Sequence, residues 1–166
     1  EVKTIGNPTE AALLLWLNRQ GVDYAPLREE AAVLSRLTFS TERKYMATVV
    51  KSPLLGNNVL YVKGAPEIVL SNCSRVAVAG GEYATVAGQC ASIEAKLLEY
   101  QNMAMRTLGF AYQVLNDDAD ISPYADGRLS GTDLTFLGFV AISDPVRADV
   151  PEAVKSCLDA GVDVKI

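Results

Sequence analysis

Hydrophobic residues recur at helical spacing in several stretches, and local signals mark where these helices begin and end. The first stretch, GNPTEAALLLWLNRQG, has a capping Asn7 and Pro8 at the first helical position, and Gly21 ends it. The pattern predicts four further helices: from Pro26 to about Ser35, from Pro66 to Asn72, over residues 86–105, and from about Pro151 to Ala160.

Runs rich in β-branched and aromatic residues predict the strands between these helices. They are RLTFS (36–40), KYMATVVKS (44–52), NVLYVKG (58–64), VAVAGGEYAT (76–85, with a glycine turn), TLGFAYQVL (107–115), LTFLGFVAIS (134–143) and a short VDVKI (162–166). The run at 134–143 is apolar on both faces, which is typical of a central buried strand. Strands that cluster between helices favour an α+β domain with an antiparallel sheet over residues 1–143. Residues 144–166 would be a hinge and the first helix and strand of an α/β domain.

Composition narrows the classes of function. The 166 residues carry a net charge of −5, which argues against a nucleic-acid partner, although a small anion could bind where basic side chains gather. The absence of histidine excludes Ser-His-Asp triads and histidine-based zinc sites. Three widely spaced cysteines suit free thiols in a reducing compartment.

Neither a membrane-spanning segment nor a calcium site is expected. The longest apolar run, AALLLWL (11–17), is too short to cross a bilayer, so we expect this segment to stay outside the membrane. The segment DDADISPYADGRLSGTD (117–133) resembles a calcium loop, but Pro123 and Leu129 stand where a glycine and a bidentate glutamate are required. We interpret it as a loop and predict no metal site.

Basic residues gather at one end of the predicted hairpin. Antiparallel pairing of 44–52 with 58–64 brings Lys44 and Lys63 within a residue or two of register. Two neighbouring ammonium groups repel unless an anion bridges them, and Arg43 adds a third cation. Gly64 would let a ligand approach the backbone. The alternative is that the lysines are solvated strand ends and that Gly-Ala-Pro only starts a helix.

Three other side chains allow both a binding and a structural interpretation. Phe39 could stack on a heterocyclic base, but its alternation with Leu37 is typical of core packing. Glu10 could accept a hydrogen bond from a ligand amine or complete a capping box. Arg106, at the predicted end of a helix, could bind an anion or only interact with the helix dipole. Neither of the glycine-rich phosphate-binding signatures is present, so side chains would have to bind a phosphate.

Five motifs in order resemble those of the nucleotide-binding domain of P-type cation-transporting ATPases, and the calcium-pump branch most. They are GNPTEAALL (6–14), FSTERKYM (39–46), YVKGAPE (61–67), MRTLGFAY (105–112) and DPVR (144–147). The resemblance implies that Phe39 stacks on adenine in a pocket lined by Lys63. It also implies that Glu10 meets the adenine amino group, Lys44 lies near the ribose or phosphates, and Arg106 reaches the polyphosphate.

The resemblance also implies what the rest of the protein supplies. The motifs D-K-T-G-T, T-G-D and G-D-G-x-N-D are absent, so we expect a fragment of a larger pump with no catalytic residue of its own. It would be a cytoplasmic domain of an integral membrane protein, binding ATP as Mg-ATP in the intact enzyme and working with phosphorylation and actuator domains. Asp144 and Arg147 would lie in the hinge. The alternative is a non-catalytic interaction or regulatory domain that has kept the fold and lost the nucleotide.

Overall fold

A computed structural model describes residues 5–115, 124–130, 132–143 and 146–165. The helices are α1 (Pro8–Arg19), α2 (Ala25–Glu30), α3 (Pro66–Ser71), α4 (Val86–Asn102) and α5 (Val150–Asp159). The strands are β1 (Ala32–Leu37), β2 (Tyr45–Lys51), β3 (Asn58–Gly64), β4 (Cys73–Ala77), β5 (Tyr83–Thr85), β6 (Arg106–Leu115), β7 (Tyr124–Ala125), β8 (Arg128–Leu129) and β9 (Leu134–Ile142). None of the helices in these ranges is long and apolar enough to cross a membrane.

Seven strands form one sheet in the order β1-β2-β3-β6-β9-β4-β5. All neighbours are antiparallel except β4 and β9. The parallel pair arises because α3 connects β3 to β4, and a helical crossover returns the chain in its original direction. The predicted α+β fold is therefore confirmed, with one parallel pair added to the expected antiparallel sheet.

Three predicted elements differ from the structure. Strand β1 spans Ala32–Leu37 rather than residues 36–40. The second helix ends at Glu30 rather than near Ser35, because the following residues pair with β2 from Ala32 opposite Lys51 to Leu37 opposite Ala47. The ladder of backbone hydrogen bonds outweighs the local preference for helix. At the other end of the chain, residues 162–165 form no strand, although the preceding helix α5 matches its prediction.

The core lies on one face of the sheet. Val49, Val62 and Phe136 are almost fully buried there, and α3 and α4 cover them with Val69, Leu70 and Ile93. The opposite face carries Lys63, which pairs with Met46 on β2 and Phe110 on β6. Helix α1 lies at this second face and has no buried residue. We call the two sides the core face and the open face.

A small hairpin, β7–β8, lies outside the main sheet. Asp126 and Gly127 both have positive φ angles, +49° and +71°, which is the geometry of a two-residue type I′ turn. The sequence pattern predicts only a loop here. The Asp-Gly dipeptide between β-compatible residues was the signal for the hairpin, whereas residues 116–123 lie outside the described part of the chain.

Candidate functional site

The β2–β3 hairpin brings the predicted cations to one end of the sheet. Tyr45 pairs with Gly64 and Met46 pairs with Lys63, so Lys44 directly precedes the last pair of the ladder. The expected register is confirmed. Lys44 is exposed, and the side chain of Lys63 is partly covered on the open face.

Lys63 contacts an anionic side chain of helix α1. Its Nζ donates a hydrogen bond to Oε1 of Glu10 over 2.6 Å. This hydrogen bond, followed by the attraction of the ammonium charge, lowers the pKa of Glu10 from its ordinary value of 4.5, and burial opposes the shift only partly. Glu10 is therefore an ionised acceptor. Asn7 fixes its position by accepting a hydrogen bond from Thr9 N at the start of α1 (2.9 Å).

Arg106 lies beside this ion pair. Its Nη1 donates to Oγ1 of Thr9 over 2.7 Å, so it contacts the first turn of α1 next to Glu10. The prediction that Arg106 ends a helix is wrong, because α4 ends at Asn102 and Arg106 opens β6 opposite Ile142. Helix-dipole stabilisation thus does not explain its position. No sequence pattern predicts a role for Thr9, because only the fold brings it to Arg106.

Phe39 projects into solvent. Strand β1 ends at Leu37, which packs against the core, whereas the side chain of Phe39 is 56% exposed. The interpretation of Phe39 as a core residue is therefore wrong. The chain turns immediately after it, with Lys44 N donating to Ser40 O over 2.8 Å, so this turn links Phe39 to the cationic end of the hairpin.

Lys44 adopts a strained backbone conformation, with φ at +60°. Its N–H is bonded to Ser40 O, and its carbonyl accepts a hydrogen bond from Ala65 N over 2.9 Å. A side chain on Gly64 would collide with that carbonyl and come within 2.6 Å of Tyr45 Cα. Gly64 thus permits close contact between two backbone segments. A strained residue that its surroundings hold in place is a marker of functional sites.

The cations border an apolar part of the open face. A cleft of about 220 Å³ next to Lys63 is lined by Met46, Tyr61, Phe110 and Leu137. A second, of about 390 Å³, lies between Leu137 and the Trp16 side of α1. Exposed apolar surface beside several cations suits a ligand with a flat ring system and an anionic chain.

Two other expectations concern metals and the hinge. Among the described residues, no group of three or more cysteine, aspartate or glutamate side chains could hold a metal ion. Asp144 lies outside those residues. Arg147 is exposed and pairs with Asp149 over 2.7 Å. The predicted hinge therefore stays a prediction.

The sequence matches the family model described as P-type ATPase, cytoplasmic domain N, over residues 1–149. It is 33% identical to calcium-transporting ATPase PAT1 of Dictyostelium discoideum and 34% identical to plasma membrane calcium-transporting ATPase 4 of Bos taurus. These matches cover 100% and 99% of this chain but only 14% of each relative. Subunit alpha-4 of the human sodium/potassium-transporting ATPase is 30% identical over 97% of the chain and 16% of its own length.

Three observations support the same family: the five motifs occur in order, the seven-stranded sheet is that of an α+β domain, and the family model matches residues 1–149. The chain spans about one seventh of the length of the first two relatives, since it covers 14% of each. The match includes every candidate ligand-binding residue, from Glu10 to Arg106. The chain belongs to the family of P-type ATPase cytoplasmic N domains.

Proposed function

We propose that this chain binds ATP on its open face and positions it for phosphoryl transfer to an aspartate in another domain of a calcium-transporting P-type ATPase. The observation that carries the proposal is the Glu10–Lys63 pair, which joins α1 to β3 at the end of the sheet where Phe39, Lys44 and Arg106 are exposed. A hydrogen-bond acceptor and an aromatic ring suit adenine, and cations suit a polyphosphate chain.

The base would be recognised by three side chains. Glu10 is ionised and accepts hydrogen bonds only, which complements the amino group of adenine. The ammonium of Lys63 is held by Glu10 and can donate further hydrogen bonds into the same pocket. The exposed ring of Phe39 offers a face for stacking on the base.

The phosphates would be held by the other cations. Lys44 is exposed beside the turn that follows Phe39. Arg106 is also exposed, and within the described part of the chain one of its five N–H donors bonds Thr9. Gly64 contributes indirectly, because it lets the Lys44 backbone lie against the end of β3. ATP would arrive as Mg-ATP, with magnesium partly neutralising the phosphates.

The chain would position the nucleotide and supply no bond-making group. In this proposal residues 1–143 are the nucleotide-binding domain, and residues 144–166 begin the hinge and the phosphorylation domain. Hinge closure would bring the γ-phosphate to the aspartate, with phosphorylation and actuator domains of the same longer chain as partners. Calcium is proposed from the names of the two relatives, and the match to a sodium/potassium-transporting relative shows that this part of the chain is shared among pumps for different ions.

The direct test is an ATP titration of the isotopically labelled chain, monitored through backbone amide shifts. We expect saturable shifts at residues 39–46, 61–67 and 106 with a dissociation constant of roughly millimolar order. Phe39→Ala and Lys63→Ala should weaken these shifts. Lys51→Ala is the matched control, because Lys51 is an exposed lysine at the other end of the same hairpin.

Two results would contradict the proposal. A folded wild-type chain without saturable shifts would favour an interaction domain that does not bind nucleotide. Sustained ATP hydrolysis by the purified chain would show that it contains bond-making groups, which the proposal assigns to another domain.

A further inference from the structure

The β7–β8 hairpin contacts the loop that carries Phe39 and Lys44, two of the residues proposed to bind ATP. Nη2 of Arg128 lies 3.0 Å from Oε1 of Glu42, and the backbone N–H of Leu129 donates to Oη of Tyr45 over 3.1 Å. Tyr45 is buried in the core, so the second contact anchors the hairpin to the main sheet. The hairpin thus contacts both the loop of residues 38–44 and the first residue of β2.

The same loop is tied internally by Arg43. Its Nη2 donates to the carbonyl of Thr38 over 2.6 Å, and its backbone N–H donates to Oγ of Ser40 over 3.2 Å. Nη1 of Arg43 also lies 3.8 Å from the position that a Cβ on Gly127 would occupy. The guanidinium of Arg43 therefore lies next to the turn of the hairpin.

We propose that Arg128 is a positioning residue for nucleotide binding: through Glu42 it holds the 38–44 loop in the conformation that presents Phe39 and Lys44. This inference rests on the proposed function. Phe39 and Lys44 lie on either side of Glu42 in sequence, and Lys44 has a strained φ. The placement of Phe39 relative to Lys44 therefore depends on how well the backbone between them is ordered. A loop that is already ordered loses less conformational entropy when it binds a ligand.

The expected effect follows from this entropy. Arg128→Ala should leave the fold intact, because Arg128 is exposed and belongs to a hairpin outside the main sheet. It should weaken ATP binding by about 2- to 10-fold, which corresponds to ordering one or two side chains. Arg128→Lys, which keeps the positive charge, should restore most of the affinity.

Glu42→Gln separates positioning from direct contact with the phosphates. If Arg128 acts through Glu42, this variant should weaken ATP binding as Arg128→Ala does, although it removes a negative charge near an anionic ligand. If Arg128 itself bound phosphate, Glu42→Gln would leave the affinity unchanged or raise it. Lys96→Ala is the matched control, because it removes another exposed ion pair, Lys96–Glu99 (2.8 Å), on α4.

The order of the loop is measured in the absence of ATP, by heteronuclear NOE at the amides of residues 39–44. Arg128→Ala and Glu42→Gln should lower these values, and Lys96→Ala should not. Unchanged NOE values, or unchanged ATP affinity in Arg128→Ala, would overturn the inference alone. If the wild-type chain bound no ATP, the proposed function and with it the role in nucleotide binding would fail, whereas the NOE would still show whether Arg128 orders the loop.

Discussion

The core face of the sheet is closed and almost entirely apolar, whereas the open face has a helix with no buried residue. On the core face, α3 and α4 cover Val62 and Phe136, which are almost inaccessible to solvent. On the open face, α1 is joined to the sheet by Glu10–Lys63 and by Thr9–Arg106. The difference separates two tasks: apolar burial on one face stabilises the fold, and polar groups on the other remain accessible to a ligand.

The largest effect is expected from Phe136→Ala on the core face. Phe136 is 1% exposed, so truncation leaves a cavity and should lower the free energy of unfolding by about 3–5 kcal/mol. Urea denaturation measures this loss. Leu137→Ala is the control, because Leu137 is the next residue, is 50% exposed and lines the open face. Equal losses in the two variants would contradict the division into a closed and an open face.

Phe39→Ala should affect binding and not stability. Loss of stacking on the base should cost about 1–3 kcal/mol of binding free energy, while the unfolding free energy should change by no more than about 0.5 kcal/mol. Isothermal titration with ATP and urea denaturation measure the two quantities. Tyr83→Ala truncates an aromatic ring of similar exposure at the far edge of the sheet and should leave ATP affinity unchanged.

Lys44 tests whether strain and binding coincide in one residue. Glycine tolerates a φ of +60° better than alanine, so Lys44→Gly should be at least as stable as Lys44→Ala, by up to about 1 kcal/mol. Both variants lose the ammonium and should bind ATP equally weakly. Thermal unfolding and ATP titration of the pair give the comparison. If Lys44→Gly were less stable than Lys44→Ala, the positive φ at position 44 would not be a source of strain.

The smallest effect is expected from Glu10 and depends on pH. The folded-state pKa of Glu10 is lowered, so its pair with Lys63 contributes fully above the ordinary value of 4.5 and is lost as the pH falls through the folded-state pKa. The pair is exposed to solvent, so the contribution should be about 0–1 kcal/mol. Thermal unfolding should show wild type more stable than Glu10→Gln at neutral pH, with the difference vanishing in acid. A difference independent of pH would contradict this origin.

The elements with strong local signals could be predicted from the sequence. The Asn7-Pro8 start of α1 and the turn between β2 and β3 depend only on neighbouring residues. The start of this helix and the register of this hairpin could therefore be predicted. The end of α2 could not be predicted, because Ala32 and its neighbours become a strand only by pairing with β2. The parallel β4–β9 pair likewise depends on which strands become neighbours after the chain crosses the sheet.

The candidate site was predictable only in part. The register that aligns Lys44 and Lys63 could be predicted, since both belong to one hairpin. The contact of Lys63 with Glu10 joins residues 53 positions apart, and no local pattern encodes it. Periodicity alone wrongly favoured a core position for Phe39, because its alternation with Leu37 continues past the end of β1, where the chain no longer has a sheet partner to set its direction.

Gly64 sets a limit on redesign of this domain. Most of the groups proposed to bind ATP on the open face belong to side chains. Their size or charge can be altered one at a time to seek a different ligand preference. At Gly64 the neighbouring atoms are the backbone of Lys44 and Tyr45, which have no alternative rotamers to adopt. An engineered library can therefore vary residues 10, 39 and 106, and residue 44 among side chains that tolerate its φ of +60°. Position 64 has to remain glycine for the rest of the library to fold around a shared backbone.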